Sequence, residues 1–221
     1  MPQDDNALTR ARLKTPRAAA IAGIVFSVLL TTIFWLFRST VPADPLEHGE
    51  WLAMNSRSAT IGLNLIPFAG VAFLWFIGVL RDRLGAQEDR FFATVFIGSA
   101  LLFLAGLFAA AATMGAVILA ASTLDPSEVI NSTTFKYARA SAYIIANVYA
   151  AKMAAVFMVS TSTIIIYTRI APRWIAVLGF GLAVVLLTGS YALSWSAIVL
   201  PVWVFLISIY ILLDNFRTQH T

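Results

Sequence analysis

Residues 74–96 read LWFIGVLRDRLGAQEDRFFATVF, two apolar runs separated by ten residues of charge and turn. The first apolar run stops at Arg81, and the second begins at Phe91. An apolar run that ends abruptly in charged residues is typical of a membrane helix that reaches the water interface. The stretch therefore predicts two membrane-spanning helices joined by a short charged loop, and the other segments can be assigned relative to this pair.

The composition of the whole chain agrees with this interpretation. Of its 221 residues, 60% are hydrophobic and 12% are charged, and the mean hydropathy is +0.83. Soluble domains carry about 25% charged residues, so this chain has too little polar surface to cover a water-soluble globule. The composition indicates an integral membrane protein whose main partner is the lipid bilayer. The absence of cysteine excludes disulfides and thiolate metal sites.

The apolar runs predict an all-α fold, an integral membrane bundle of six transmembrane helices. The last run, residues 174–213, would be about 60 Å long as one helix, twice the thickness of a hydrocarbon core. A turn at 190–196 therefore divides it into a hairpin. Polar tails at 1–17 and 214–221 flank the membrane domain of residues 18–213. The predicted spans are 18–37, 60–80, 91–121, 142–168, 174–190 and 197–213.

The basic residues indicate the orientation of these spans. Ten Lys and Arg residues lie on the amino-terminal side of the membrane in this arrangement, and four lie on the opposite side. Because cytoplasmic loops carry an excess of Lys and Arg, both termini and the 81–90 loop are predicted to be cytoplasmic. We expect the chain in the cytoplasmic membrane of a bacterial cell. The four basic residues of the opposite side are Arg38, Arg57, Lys136 and Arg139.

The sequence offers little support for catalysis or metal binding. No Asp or Glu lies inside the six spans, although proton- and cation-coupled carriers usually keep ionisable residues at membrane depth. His48 and His220 are isolated in polar segments, and no zinc-binding, nucleophile or phosphate-binding motif occurs. We therefore expect no enzymatic activity, no cofactor and no metal. Basic stripes with interleaved aromatic residues, the pattern of nucleic-acid binding, are also missing.

Lys152 is the only charged residue inside a predicted span, and such a charge suggests a function by default. Counting back about 20 residues from Thr168, the length of one hydrocarbon core, puts the outer membrane boundary near Val148. Lys152 then lies roughly 6 Å inside that boundary, so its side chain can also snorkel to the interface. Ser141 and Thr163 lie 11 residues before and after Lys152, so the three share one helix face. These and the neighbouring polar residues either line an outward-opening polar site or form ordinary hydrogen bonds between helices. The candidate ligand-binding residues are Lys152, Tyr149, Asn64, Ser141 and Thr163.

The third predicted span is rich in small residues at helical spacing. Gly106 and Ala110 are four residues apart, as are Ala111 and Gly115. Small residues at this spacing let helix backbones approach closely. The pattern predicts a packing helix, either within one chain or between the subunits of an oligomer.

The segment GVLRDRLG, residues 78–85, resembles the loop between the second and third helices of major facilitator transporters, roughly G-x-L-A-D-R-x-G-R-R/K. In that family the loop makes charge contacts at helix ends that help to gate the cytoplasmic side. Six spans would form half of such a transporter, so this resemblance implies that two chains pair. The matching residues are Gly78, Leu80, Asp82, Arg83 and Gly85, whereas Arg81 replaces the usual Ala and Ala86-Gln87 replace the basic pair.

The charges of the 81–90 loop cancel, three arginines against three acids. Orientation requires only the arginines, so we expect the acids to have a structural role. Asp82 or Asp89 is predicted to pair with Arg169 or Arg173 at a neighbouring helix end. The loop would then act as a structural clamp, formed by Arg81, Asp82, Arg83, Asp89 and Arg90.

Taken together, these observations favour a non-enzymatic membrane protein that acts as a homo-oligomer or as an accessory subunit of a membrane complex. Over most of its length the chain also resembles small uncharacterised polytopic proteins of bacteria, a resemblance that implies no particular activity. The main alternative is a small oligomeric transporter or channel for an anionic or amphipathic solute, with its site around Lys152. An enzyme acting on lipid is a third, remote interpretation, because no catalytic pair can be identified.

The predicted orientation can be tested with single cysteines, since the chain has none of its own. In intact cells, a membrane-impermeant maleimide should label Ser194→Cys and should label Gln87→Cys only after permeabilisation. The reverse labelling pattern would contradict the orientation.

Overall fold

The computed structural model describes residues 5–42, 44, 49–54, 56–82, 90–189 and 195–217, and within these ranges the chain is helical with no strand. The helices are α1 (Asp5–Arg38), α2 (Trp51–Met54), α3 (Ser56–Asp82), α4 (Arg90–Thr123), α5 (Pro126–Asn131), α6 (Thr133–Ile144), α7 (Ala151–Thr168), α8 (Arg173–Gly189) and α9 (Ser196–Arg217). The π-helical segment Ile145–Ala150 joins α6 directly to α7.

Within the described ranges, five helical stretches are long and apolar enough to cross a membrane. The prediction of an all-helical chain of membrane type is therefore confirmed. The remaining long apolar helix, α8, has 17 residues and is about 25 Å long. The five stretches are Ala20–Arg38, Ser56–Arg81, Ala93–Thr123, Thr133–Thr168 and Ser196–Asp214.

Phe73 of α3 lies at the centre of the main hydrophobic core, where its side chain is fully buried. Its ring centroid is 4.5 Å from that of Phe26 in α1 and 5.5 Å from that of Phe103 in α4. It is 5.1 Å from the ring of Phe157 in α7, which it meets edge to face. Edge-to-face and offset ring pairs are favourable beyond the area that they bury. One side chain thus links four of the long helices.

A second hydrophobic cluster lies at the end of the bundle where α1 ends and α3 begins. There α2 and α5 pack against the adjoining ends of α3, α4 and α6, and we call this part of the molecule the cap.

Two helices are longer than a membrane span requires. The helix α4 has 34 residues and the continuous helix Thr133–Thr168 has 36, so each is about 50 Å long. Both exceed the roughly 30 Å of a hydrocarbon core, and the cap packs on their ends.

Hydrogen bonds from side chains fix where the helices α5 and α6 begin. The Asp125 carboxylate accepts hydrogen bonds from the backbone N–H and the hydroxyl of Ser127, at 2.8 and 2.7 Å, where α5 begins. These two bonds lower the pKa of Asp125 below its usual value. The Ser132 hydroxyl accepts from the Phe135 N–H at 3.1 Å and starts α6. Each of these two side chains accepts a hydrogen bond from a backbone N–H that the start of a helix leaves without a partner.

The segment between α7 and α8 turns sharply at Arg169. This residue has a φ of 54° and a left-handed conformation, and its N–H donates to the Ile165 carbonyl at 2.9 Å. A left-handed residue is a common way to end a helix. The predicted partners of Arg169 lie outside the described residues, because residues 83–89 and the side chains of Asp82 and Arg90 are not among them. The loop clamp therefore stays a prediction.

α7, α8 and α9 approach one another closely at a glycine. A Cβ atom on Gly179 of α8 would overlap the Ser162 hydroxyl of α7 and lie 2.6 Å from Cζ2 of Trp203 in α9. The Trp203 indole donates a hydrogen bond to the Ile175 carbonyl of α8 at 3.1 Å, which holds its ring against this point. The absence of a side chain at Gly179 is thus required for the packing.

We expect Gly179→Ala to lower the free energy of unfolding by about 1–3 kcal/mol, because the added methyl group overpacks a filled site. The matched control is Gly181→Ala in the same helix, where the added Cβ meets no atom of another described helix within 4 Å. Thermal unfolding in detergent micelles measures both variants. Equal stability of the two would contradict the close packing at Gly179.

Candidate functional site

A cavity of about 540 Å³ lies between the main hydrophobic core and the cap. This volume is within the usual size range of ligand sites. Its walls come from α1, α3, α4, the α6 helix with the π-helical segment, and the start of α9. Of the twenty lining residues that the structure describes, fifteen are apolar. The polar lining residues are Arg38, Asp44, Arg139, Tyr143 and Asn147.

The positions of the lining residues along the helices give the cavity a long axis. On α1 they extend from Leu30 to Arg38, eight residues or about 12 Å. On α6 and the π-helical segment they extend from Arg139 to Asn147, again about 12 Å. Both arginines lie at the cap end of these stretches. The cavity therefore has a charged mouth near the cap and a mainly apolar interior that reaches into the bundle.

Arg139 has a buried side chain, 2% exposed, at the mouth of the cavity. Its Nη2 donates a hydrogen bond to the backbone carbonyl of Asp44 at 2.8 Å, and the carbonyl of Pro42 lies 3.5 Å away. A buried charge is stable only when hydrogen bonds replace the water that it has lost, and bonds to a guanidinium are among the stronger ones. Arg139 thereby fastens the segment after α1 to α6.

Arg38 is the last residue of α1 and is exposed at the mouth of the cavity. A cation at the carboxyl end of a helix interacts favourably with the helix dipole. Within the described part of the chain, its guanidinium has no ion-pair partner. Among the described lining residues, Arg38 and Arg139 are the cations and Asp44 is the anion. The planar guanidinium of Arg38 matches the geometry of a carboxylate or a phosphate group.

The π-helical segment forms part of the cavity wall through Ala146 and Asn147. A π-helical turn is rare and occurs often at functional sites. The Asn147 side-chain N–H donates to the Tyr143 carbonyl at 3.0 Å, so it satisfies one backbone acceptor in this irregular stretch. Next to it, a Cβ on Gly106 of α4 would lie only 3.0 Å from the Ala150 Cβ. The small-residue pattern of α4 therefore packs, at Gly106, against its own chain.

None of the five residues predicted to bind a ligand lines this cavity. Lys152, Tyr149 and Asn64 are exposed on the surface of the bundle, Tyr149 by 64%. Ser141 and Thr163 are half-buried, and the Thr163 hydroxyl donates to the Val159 carbonyl of its own helix at 3.0 Å. Lys152 therefore takes no part in this cavity, and its snorkelling stays a prediction.

The residues that do line the mouth and floor carry weak signals in the sequence. In the sequence, Arg38 and Arg139 contribute only to the charge count that indicates the orientation of the spans. Asn147 is a single amide within an apolar run. The π-helical segment lies between Ser141 and Lys152, and it breaks the 3.6-residue period on which their shared face depended. A pattern of spacing could not reveal this interruption.

The search for known relatives found no match to this chain among protein-family models, curated proteins or solved structures. Among the residues that the structure describes, no group of His, Cys, Asp or Glu could hold a metal ion. The geometry of the cavity is thus the basis for assigning the site.

We expect Arg139→Met to lower the free energy of unfolding by about 2 kcal/mol, because hydrogen bonds to a charged group contribute roughly 1.5–3 kcal/mol. The variant also leaves the Asp44 carbonyl without its donor. Arg57→Met, which removes an exposed arginine at the same end of the bundle, is the control. Thermal unfolding in detergent measures both, and an Arg139→Met protein as stable as the control would show that the connection contributes nothing.

Proposed function

We propose that the protein is a non-enzymatic membrane protein that binds an anionic amphipathic solute in the cavity beneath the cap, as a receptor or transporter. The cavity itself is the observation that carries this proposal. Its apolar walls suit a hydrocarbon chain, and its mouth carries two arginines and one aspartate. Ligand sites of this kind combine an apolar lining with a few polar groups that fix the orientation of the ligand.

The proposed topology has six spans with both termini in the cytoplasm of a bacterial cell. The 17 residues of α8 are at the lower limit for a span, which supports counting it as the sixth. An even number of spans places both termini on one side, and the excess of Lys and Arg there supports the cytoplasmic side. The cap and the mouth of the cavity then face outward.

This topology also sets the depth of the bound solute. The span Ala20–Arg38 ends at the mouth, and Leu30 lies about 12 Å deeper along the same helix. The cavity thus occupies the outer half of the membrane. A solute would place its charged head at the outer interface, where water is close, and its chain among apolar side chains.

The site differs from the one around Lys152 that the sequence suggested, but the class of solute is the same. An amphipathic anion needs a cation next to an apolar cavity, and Arg38 supplies one at the mouth. Lys152 lies on the outer surface of the bundle and lines no part of the cavity. We assign it a snorkelling role at the interface.

We expect the purified protein in nanodiscs to bind a long-chain fatty acid such as palmitate, and Arg38→Gln to weaken that binding by about tenfold to a hundredfold. A charge-assisted hydrogen bond contributes roughly 1.5–3 kcal/mol, and 1.4 kcal/mol is a factor of ten. Equilibrium binding of radiolabelled palmitate measures the change.

Arg57→Gln is the matched control, because it removes an exposed arginine of the same end that does not line the cavity. It should bind palmitate as the wild type does. Hexadecanol, which has the same chain without the carboxylate, should compete poorly. Absence of palmitate binding by the wild type, or equal losses in the two arginine variants, would contradict the proposed site.

A further inference from the structure

Asn147 places an uncharged amide deep in the cavity. The other polar lining residues are the charged groups at the mouth and Tyr143, one turn closer to the mouth. The amide uses one N–H to bond the Tyr143 carbonyl at 3.0 Å. An asparagine side chain has two N–H donors and a carbonyl oxygen with two lone pairs. Its remaining N–H and its oxygen are therefore the groups with which it can bond a ligand.

The distance between this amide and the mouth is set by the helix. Asn147 follows Arg139 by eight residues, which corresponds to about 12 Å along the axis. An extended hydrocarbon chain advances about 1.25 Å per carbon, given C–C bonds near 1.5 Å. A chain whose carboxylate lies at the mouth would therefore bring roughly its tenth carbon to the level of Asn147.

An amide at this depth would be unfavourable to a plain hydrocarbon chain. A polar group that faces an apolar ligand loses contact with water without gaining a hydrogen bond in return. A ligand with a hydroxyl or carbonyl oxygen at the same depth restores that bond. Sites that hydrogen-bond a ligand oxygen discriminate against the analogue that lacks it more strongly than apolar pockets discriminate by size.

We propose that the solute is an oxygenated single-chain acid, with a hydroxyl or keto group near the middle of its chain, and that Asn147 is the residue that selects it. This inference rests on the proposed function. Arg38 binds the carboxylate at the mouth, the walls bind the chain, and the free N–H or the oxygen of the Asn147 amide bonds the mid-chain oxygen.

The test compares stearate with hydroxystearates of equal length and different hydroxyl position, bound to the wild-type protein in nanodiscs. The 10-hydroxy acid should bind about fivefold to tenfold more tightly than stearate, as expected for one net hydrogen bond. The 2-hydroxy acid should show no such gain, because its hydroxyl stays at the mouth. Competition against radiolabelled stearate measures all of them.

Two variants assign the preference to a residue. Asn147→Leu, close in volume and unable to hydrogen-bond, should lose the preference, so that its affinities for stearate and the 10-hydroxy acid become about equal. Asn64→Leu, which replaces an exposed asparagine outside the cavity, should keep it. Asn147→Ala provides the same comparison if the leucine variant does not fold.

The possible results separate the two proposals. If the wild type binds stearate and all the hydroxystearates equally, the selection of an oxygenated chain is overturned and the anion site remains. If it binds none of them, the proposed function fails as well. If Asn147→Leu and Asn147→Ala keep the preference, the role of Asn147 is overturned.

Discussion

The connection between Arg139 and the segment that follows α1 determines the shape of the cap end. A guanidinium that is 2% exposed would be strongly destabilising without hydrogen-bond partners, since the penalty for burying an ion is several kcal/mol. The backbone carbonyl of Asp44, 2.8 Å away, supplies a partner from a segment 95 residues earlier in the chain. Because this bond crosses the mouth of the cavity, the segment that follows Arg38 lies against α6.

The main hydrophobic core holds together the helices on which the cap end is built. Phe73 joins α1, α4 and α7 through ring contacts, and Gly106 and Gly179 allow close approaches between backbones. In a membrane, helices associate through such packing because lipid is as apolar as the side chains. This packing sets the separation of the helices that form the cavity walls.

Much of the helical framework could be predicted from the sequence, because apolar length is a direct requirement of the bilayer. The abrupt change at Arg81 corresponds to the end of α3 at Asp82, and the second apolar run to α4. The candidate site could not be predicted in the same way. α4, which lines the cavity through four residues, is apolar on nearly all sides, so nothing in its pattern shows which side faces the interior.

The cavity depends on features that a single sequence conceals. Its walls combine residues from five helices and from the segment after α1. The π-helical segment displaces Asn147 from the face that a regular helix would give it. The sequence pattern places Arg139 between the predicted spans 91–121 and 142–168. In the structure it lies inside α6 with its side chain buried. Burial of a charge depends on partners distant in the chain, and these become visible only in three dimensions.

Photo-crosslinking tests the central claim most directly, that an amphipathic anion enters the cavity beneath the cap. A fatty acid with a diazirine near its tenth carbon would be bound to the protein in nanodiscs, irradiated with and without excess unlabelled acid, and located by mass spectrometry. We expect competable adducts within residues 30–38, 107–114 and 139–147, which line the cavity. Adducts confined to the exposed surface around Tyr149 and Lys152, or unaffected by the competitor, would contradict the claim.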